Sequence, residues 1–208
     1  MSISAPTAAD LLLDTLADRR SVRRLQPGSF PPGLTDALAR ASVLVPSAFD
    51  AQPWRVVVLL ERHDEFWDRV LETIGQRLEG ERRERYIARA EGMRAGGMTS
   101  LIFKDSVLTG PRDNLTVDEA RDQASQSQGM LQLALWLTIS AHGLVTSLQH
   151  WQFMIEDVAI AFAGLPEAGF RLVTFMPVGF AAEPPEPRAP RPSRLTLERV
   201  SPIGTETT

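Results

Sequence analysis

Four arginines and a serine stand close together at residues 19–24, where the sequence reads Arg-Arg-Ser-Val-Arg-Arg. Guanidinium groups match phosphate oxygens with two parallel hydrogen bonds, and a serine hydroxyl can donate one more. The segment is therefore a candidate phosphate-binding site. A basic helix end that faces solvent is the alternative interpretation.

Three other segments carry polar side chains of interest. The loop at 46–54, Pro-Ser-Ala-Phe-Asp-Ala-Gln-Pro-Trp, leads directly into an apolar strand, and loops at strand ends are where rigid scaffolds often hold ligands. The segment 146–151, Thr-Ser-Leu-Gln-His-Trp, follows a long apolar helix, although a surface turn would explain it equally well. A second arginine group near the C-terminus comprises Arg188, Arg191 and Arg194. Together these segments suggest a phosphorylated, planar ligand.

The sequence excludes several other kinds of chemistry. It contains no cysteine, which rules out disulfides, thiolate zinc sites, iron–sulfur clusters and cysteine nucleophiles. Its three histidines are scattered, so we expect no metal site. The GxGxxG and GxxxxGK[ST] fingerprints of nucleotide-binding folds are missing, and so is the GxSxG elbow of hydrolases.

Length and composition indicate one ordinary domain over residues 1–208. Hydrophobic residues make up 43% of the chain and charged residues 23%, as in soluble globular proteins. The net charge of −4 provides no general reason to bind nucleic acid. No apolar run approaches the roughly 18 residues of a membrane helix, and the N-terminus lacks the basic start of a signal peptide. We therefore expect a cytoplasmic protein with no membrane or nucleic-acid partner.

Hydrophobic periodicity predicts alternating helices and strands, hence an α/β or α+β class with a sheet between helices. The predicted helices are 7–19, 33–43, 64–93, 117–142 and 155–163. The predicted strands are 54–60, 99–105 and 171–180, with a short extended segment at 145–149. Ala8, Leu11, Leu12 and Leu16 stand at helical spacing in the first helix. We expect the 117–142 helix to be buried almost all round.

Two segments need a separate interpretation. Residues 80–97 are heavily charged in their first part, so we interpret them as a solvated helix or a lid. The proline-rich segment 182–194 cannot pack as a helix or a central strand. An arm that wraps a partner subunit explains it better than a disordered tail, which is the alternative. The tail at 194–200 could add a last short strand.

The candidate segments resemble, in order, the motifs of the FMN-dependent nitroreductases. Residues 19–23 resemble the RRSxR start of that family, and residues 46–54 resemble its PSxxNxQPW loop. Met176-Pro177-Val178-Gly179 resembles its hydrophobic-P-x-G strand near the C-terminus. With the motifs described next, the ordered set covers residues 19–194, nearly the whole chain.

The best match within the family is the small, fatty-acid-repression-mutant-like branch. Its SAFNSQ stretch corresponds to residues 47–52 here. Its QSSGM…W stretch is similar to Gln-Ser-Gln-Gly-Met at 126–130 followed by Trp136, and its ASLQHY stretch to residues 146–151.

The resemblance implies an α+β fold with a mainly antiparallel central sheet flanked by helices. It also implies a homodimer in which the C-terminal arms, residues 182–208, are exchanged between subunits. One FMN would lie in each of two clefts at the dimer interface. NADH or NADPH would pass hydride to flavin N5, and a nitroaromatic or quinone-like small molecule would then take it up. No side chain would act as a nucleophile.

The resemblance further assigns cofactor-binding positions. Arg19, Arg20 and Ser21 would hold the phosphate and ribityl chain, Arg194 would close on the phosphate, and Arg23 would lie near the flavin N1–O2 edge. Ser47, Phe49 and Asp50 would line the ring, and the backbone around Gln149 and His150 would reach N5. The remaining cofactor-binding positions are Ala48, Gln52 and Arg191.

Asp50 departs from the family pattern, which has asparagine at this position. An asparagine amide both donates and accepts hydrogen bonds, whereas an ionised aspartate only accepts. A negative charge beside the ring would also disfavour the anionic reduced flavin. Arg23 or Arg55 could neutralise that charge.

Two functions of other classes stay open from the sequence. One is a flavin- or nucleotide-binding protein without turnover, and the other is a structural dimer whose arginines only solvate it. Flavin absorbance in the purified protein would reject the structural dimer, and bleaching by NADH would reject the passive binder.

Overall fold

The computed structural model describes residues 5–106, 108 and 115–187 and confirms the predicted α+β class. The helices are α1 (Ala8–Asp18), α2 (Leu34–Leu44), α3 (His63–Arg77), α4 (Gly80–Arg94), α5 (Val117–Ala141) and α6 (Gln152–Phe162). The strands are β1 (Leu25–Gln26), β2 (Trp54–Leu59), β3 (Met98–Asp105), β4 (Val145–Thr146) and β5 (Phe170–Ala181). A single 3-10 turn, Ala48–Asp50, lies between α2 and β2.

The sheet is antiparallel, with β5 at its centre. The strand order is β1-β5-β3-β2, and β4 also pairs with β5. β3 and β5 form the longest ladder, from the pair Met98–Val178 to the pair Asp105–Phe170. β1 and β4 pair with the C-terminal part of β5. The predicted mainly antiparallel sheet is therefore confirmed.

Helices cover both faces of the sheet, so most residues of its central strands β3 and β5 are buried. α3, α4 and α6 pack on one face around Phe66, Trp67 and Phe175. α2 and α5 pack on the other face around Leu38 and Leu135. Successive β3 side chains alternate between these two clusters because side chains of a strand point to opposite faces.

Local sequence signals account for most element boundaries. Thr7 caps α1, as predicted, and its backbone N–H donates to Asp10 Oδ2 across 2.9 Å in a capping box. The prediction of one helix from 64 to 93 is wrong, because the chain breaks between α3 and α4. Leu78 is extended and turns into the core, and Gly80 adopts a φ of 55°. Glycine tolerates that left-handed conformation, so α4 folds back beside α3.

Both α1 and α5 expose apolar side chains in the single chain, and for α5 this corrects the prediction of a helix buried almost all round. No residue of α1 is buried, and Leu11, Leu12 and Leu13 are each more than half exposed. α5 is buried on one face only, since Met130 is 41% exposed and Leu133 is 44% exposed. The chain alone leaves these apolar side chains in contact with water, which is unfavourable.

A glycine pair holds the C-terminal end of α4 against the sheet. A Cβ on Gly96 would lie 2.4 Å from the carbonyl oxygen of Val178, and a Cβ on Gly179 would lie 2.5 Å from Gly96 Cα. No side chain fits at either position. The glycine of the Met-Pro-Val-Gly motif therefore permits a close backbone approach between α4's end and β5.

The start of the C-terminal segment lies on its own chain. The Ala182 N–H donates to the Arg24 carbonyl oxygen across 3.0 Å, and Glu183 forms an ion pair with Arg24 at 2.9 Å. Residues 188–208, which include most of the predicted arm and the predicted strand at 194–200, lie outside the described residues. No helix within the described ranges is long and apolar enough to span a membrane.

A buried histidine joins α3, α4 and β3. His63 is 3% exposed, and its Nε2 lies 2.7 Å from the Arg94 carbonyl oxygen. Since a carbonyl only accepts, Nε2 carries the proton, and Nδ1 accepts from the Thr99 hydroxyl at 3.2 Å. Thr99 Oγ1 in turn accepts from Trp67 Nε1 at 3.1 Å. This chain of hydrogen bonds requires a neutral imidazole, and burial lowers the pKa of His63 below its usual value.

We predict that His63 makes the fold sensitive to acid. Because its pKa is lower in the folded chain, the unfolded state binds a proton first as the pH falls through about 6.5. The free energy of unfolding should then fall by at most about 1.4 kcal/mol per pH unit, down to the folded-state pKa. Urea unfolding between pH 7.5 and 5 measures this slope.

His63→Gln should flatten this slope, whatever it costs in absolute stability. His142→Gln is the matched control, because it removes an imidazole outside this network and should keep the slope of the parent protein. If the free energy of unfolding falls equally on acidification in His63→Gln and in the parent protein, His63 is not the titrating group.

Candidate functional site

The arginine segment 19–23 is held against the first residue of the polar segment 146–151 by backbone contacts. Ser21 forms a parallel bridge with Thr146, and the Val22 N–H donates to the Thr146 carbonyl oxygen across 3.2 Å. Thr146 is itself anchored, since its hydroxyl donates to the Pro177 carbonyl oxygen at 2.7 Å. The structure therefore brings two of the predicted site segments together at the C-terminal end of β5.

Arg20 contains an unsatisfied buried donor. One terminal nitrogen donates to the carbonyl oxygens of Ala17 and Arg19, which close the end of α1. Its Nε is buried and has no hydrogen-bond partner among the described residues. A charged donor buried without a partner costs more than the roughly 1–3 kcal/mol of a neutral group. The chemistry of this group fits an anionic ligand.

The other residues of the segment differ in their exposure. The Arg19 guanidinium stacks over the Trp136 ring of α5, with its carbon 4.3 Å from the ring centre. Ser21 and Arg23 are exposed. Arg24 is exposed as well, but it is paired with Glu183. The segment therefore offers Arg19, Arg20, Ser21 and Arg23 to a ligand. Arg24 instead binds Glu183 at the start of the C-terminal segment.

Gln149 and His150 play different parts in the structure. The Gln149 backbone exchanges two hydrogen bonds with Phe175, at 2.9 and 3.1 Å, and its side-chain amide donates to Ser147 Oγ at 2.8 Å. His150 is exposed. Trp151 is only 5% exposed and packs edge-on against Phe175, so it belongs to the core. His150 is therefore the exposed residue of the segment 146–151.

The loop before β2 has an unusual backbone. Phe49, Asp50 and Gln52 have positive φ values of 58°, 51° and 42°. Non-glycine residues in this conformation cost of order 1–3 kcal/mol each, and such strain often clusters at functional sites. The Phe49 side chain is 62% exposed and Asp50 is exposed too. The strained loop presents these two side chains on the surface.

Side chains of α5 keep this loop in place. Ser127 Oγ accepts from the Ala48 N–H at 3.2 Å, and Gln128 Nε2 donates to the Pro53 carbonyl oxygen at 2.7 Å. Within the loop, Ser47 Oγ accepts from the Gln52 N–H at 2.9 Å. Ser47, Ala48 and Gln52 therefore shape the loop, in addition to any contact with a ligand.

Asp50 has no ion-pair partner in the part of the chain that the structure describes. Neither Arg23 nor Arg55 lies within the 4.0 Å that defines an ion pair with it. Within the described part of the single chain these arginines therefore do not neutralise Asp50, and neutralisation in an assembled site stays a prediction.

The loop and the arginine segment lie at opposite ends of the sheet. The loop ends where the Asp105 N–H donates to the Pro53 carbonyl oxygen, at the C-terminal end of β3. Ser21 lies beside Thr146, which pairs with Val178, and Val178 pairs with Met98 at the other end of β3. At about 3.4 Å per residue, these ends are roughly 24 Å apart. One chain does not place the loop beside its own arginines.

The cavities of the single chain agree with this separation. The loop and α5 enclose a cavity of about 20 Å³ lined by Phe49, Pro53 and Ser127. Arg19 and Arg20 line a different cleft, between α1 and the end of α5. The volume of the cavity between the loop and α5 is far smaller than the roughly 300–1,000 Å³ that is usual for ligand pockets.

Sequence reasoning assigned no site role to Ser127, Gln128 and Trp136, although their motif was noticed. The available signal was polar side chains within an apolar helix, because buried polar groups need partners. Predicted residues Arg191 and Arg194 lie outside the described residues. Within the described ranges, no three acidic or histidine side chains are grouped to hold a metal.

Comparison with known proteins places the chain in a family. The Nitroreductase family profile matches residues 16–180. The chain is similar in structure to nitroreductase CinD from Lactococcus lactis in complex with chloramphenicol, with a TM-score of 0.74 and 20% identity over 93% of this chain and 100% of that one. No curated protein matches it in sequence.

Two further solved structures share the fold. The FMN-dependent nitroreductase NfnB from Mycobacterium smegmatis in complex with NADPH matches with a TM-score of 0.68 and 16% identity, over 95% of this chain and 100% of that one. A nitroreductase with bound FMN from Desulfitobacterium hafniense matches with a TM-score of 0.67 and 18% identity, over 89% of this chain and 97% of that one. From the profile match over most of its length and this shared fold, we conclude that the chain belongs to the nitroreductase family.

Proposed function

We propose that this protein is an FMN-dependent oxidoreductase that passes hydride from NADH or NADPH, through the flavin, to nitroaromatic or quinone-like acceptors. The observation that carries the proposal is the buried Arg20 Nε–H without a partner among the described residues, in a segment whose backbone is bonded to Thr146 of the polar segment 146–151. A phosphate oxygen would satisfy that donor with a charge-assisted hydrogen bond. Family membership supports the redox chemistry.

The residues present fit FMN in chemical type. Arg19, Arg20 and Ser21 would hold the phosphate and the ribityl chain, together with Arg191 and Arg194 of the C-terminal segment. Arg23 is exposed beside them, and its positive charge would favour negative charge on the adjacent ring edge. When bound, FMN would supply the hydride-transfer chemistry. The protein would bind and orient it, with no nucleophilic side chain.

The ring would be bordered by groups from two places. His150 is the exposed residue of the segment 146–151, and the Gln149 backbone is already used by Phe175. The His150 backbone is therefore the group of this segment that would contact the ring. Phe49 would offer an apolar face, and Asp50 a hydrogen-bond acceptor. In a single chain, however, the loop and the backbone of the arginine segment lie at opposite ends of β3, which are roughly 24 Å apart by strand register.

We therefore infer that a second copy of the chain completes the site. In a two-fold dimer each loop could meet the arginine segment of the other subunit, which gives two equivalent clefts. The apolar side chains that the single chain exposes support such an interface. They are Leu11, Leu12, Leu13, Val43, Leu44, Met130 and Leu133. Their burial between subunits would be favourable by about 25 cal/mol per Å².

Absorption spectroscopy tests the proposed function directly. The purified protein should be yellow, with flavin absorbance, and NADH or NADPH added without oxygen should bleach it. A nitroaromatic or quinone should then restore the colour. A colourless protein that does not bind added FMN would contradict the proposal, and bound flavin that neither nucleotide bleaches would favour a passive binding protein.

We predict that Arg20→Gln weakens FMN binding by roughly 10- to 150-fold. A hydrogen bond to a charged group is worth about 1.5–3 kcal/mol, which converts to that range of affinity. Flavin fluorescence during titration of the apoprotein measures the dissociation constant. Arg24→Gln is the matched control, because Arg24 is exposed and paired with Glu183; its affinity should change less than threefold. If both variants lose FMN affinity equally, Arg20 has no specific role in holding the phosphate.

We further predict that Asp50→Asn raises the flavin midpoint potential and leaves FMN bound at least as tightly. An exposed charge contributes up to about 1 kcal/mol, and 30 mV of a two-electron couple corresponds to about 1.4 kcal/mol. The expected rise is therefore up to about 20 mV, measured by reduction against a reference dye. Glu72→Gln, which removes an exposed charge from α3, should leave the potential unchanged. A lower potential in Asp50→Asn would contradict the assigned position of Asp50.

A further inference from the structure

α4 carries a row of arginines along one side. Arg82, Arg85 and Arg89 are separated by three and four residues, so their side chains leave the helix on the same side. Gly92 continues the same stripe one turn further on. We call Arg82, Arg85 and Arg89 the arginine row; all three are exposed.

The arginine row lies between two parts of the candidate site. At one end, a Cβ on Gly92 would be only 3.2 Å from the carbonyl oxygen of Arg23. On the other side, the Tyr86 ring packs edge-on against Trp151, with ring centres 4.9 Å apart. Trp151 directly follows His150. The row therefore belongs to a helix that contacts the Arg23 backbone at one end and, through Tyr86, the residue that follows His150.

Aromatic rings accompany the positive charges. The Arg82 guanidinium lies 5.5 Å from the centre of the Phe153 ring, and the Arg89 guanidinium lies 5.8 Å from the centre of the Tyr86 ring. Phe153 is 60% exposed. Guanidinium groups and exposed rings together suit a planar ligand that carries a negative charge.

The charges of the row are not neutralised within the described part of the chain. Arg94, on the same helix, pairs with Asp64 and Asp68. No described carboxylate lies within ion-pair distance of Arg82, Arg85 or Arg89. α4 also exposes Glu81, Glu84 and Glu91, but its five arginines exceed these three carboxylates, so the helix carries a local excess of positive charge on a chain whose net charge is −4. Such an excess of positive charge attracts anions and raises their local concentration.

We propose that the arginine row is a specificity element that selects acceptors bearing an anionic group, such as a carboxylate, on the aromatic ring. The proposal rests on the proposed function, because it places the acceptor beside the flavin between Arg23 and His150. It goes beyond that function by assigning the acceptor's charge class and the residues that recognise it. The hydride chemistry is unchanged, since the arginines only bind and orient the acceptor.

The test compares charged and neutral partners in Arg85→Gln/Arg89→Gln. Arg83→Gln is the matched control, because Arg83 is exposed on the same helix but leaves it about 120° away from Arg89. Values of kcat/KM are measured for 4-nitrobenzoate and for 4-nitrobenzamide, with NADH and with NADPH. Calorimetry measures the binding of benzoate and benzamide, which are not reduced, to the same purified proteins.

We expect the double variant to lose about tenfold in kcat/KM for 4-nitrobenzoate and less than twofold for 4-nitrobenzamide. Benzoate affinity should fall in parallel, and Arg83→Gln should resemble the parent protein. Raising the salt from 0.1 to 1 M should remove the preference for benzoate, because the screening length falls from about 10 Å to 3 Å.

Three results would overturn the proposal. Equal losses for both nitro compounds would show that the row only supports the fold. A loss of kcat/KM that occurs only with NADPH would show that the arginine row binds the additional phosphate of that nucleotide. If the parent protein binds benzoate no more tightly than benzamide, anion selection is rejected, whether or not the protein binds flavin. A protein that does not bind flavin would contradict the proposed function, which is a separate result.

Discussion

The length of β3 determines what a single chain can bind. β3 pairs with β5 along its whole length, and both faces of this ladder are buried under helices. Antiparallel pairing fixes each residue of β3 at a set distance from the others. The loop at the Asp105 end and the arginine segment at the Met98 end are therefore held apart by the core itself. Neither can approach the other without breaking the sheet.

The arginine side of the site depends on backbone contacts more than on side chains. Ser21 and Val22 bind the backbone of Thr146, and Gly96 and Gly179 let the end of α4 approach β5 closely. These contacts place Arg20, His150 and α4 around one surface. The strained loop is held in a comparable way by Ser127 and Gln128 of α5. Both halves of the candidate site are thus supported by rigid elements, which limits the entropy lost on ligand binding.

Sequence reasoning succeeded where local signals are strong. The cap at Thr7, the apolar strands β2, β3 and β5 and the order of the family motifs were all readable from residue type and spacing. It failed at the break between α3 and α4, because the helical pattern continues on both sides of Gly80. The helical spacing of the α1 leucines likewise shows an apolar face but does not reveal what covers that face.

The site itself was only partly predictable. Residue types pointed to the arginine segment and the loop, but the distance between them depends on strand register, which no local pattern encodes. The roles of Gly92 and of the arginine row likewise depend on how α4 packs. An isolated charged helix is typical of a solvated surface, and only its contacts with Arg23 and Trp151 associate it with the site.

Sedimentation velocity recorded at a flavin absorbance wavelength tests the central claim, that two copies of the chain complete each flavin site. If the claim is right, the flavin signal sediments with a two-chain species, with one FMN per chain. Dilution that dissociates this species should release the flavin at the same time. A one-chain species that retains tightly bound FMN would contradict the account.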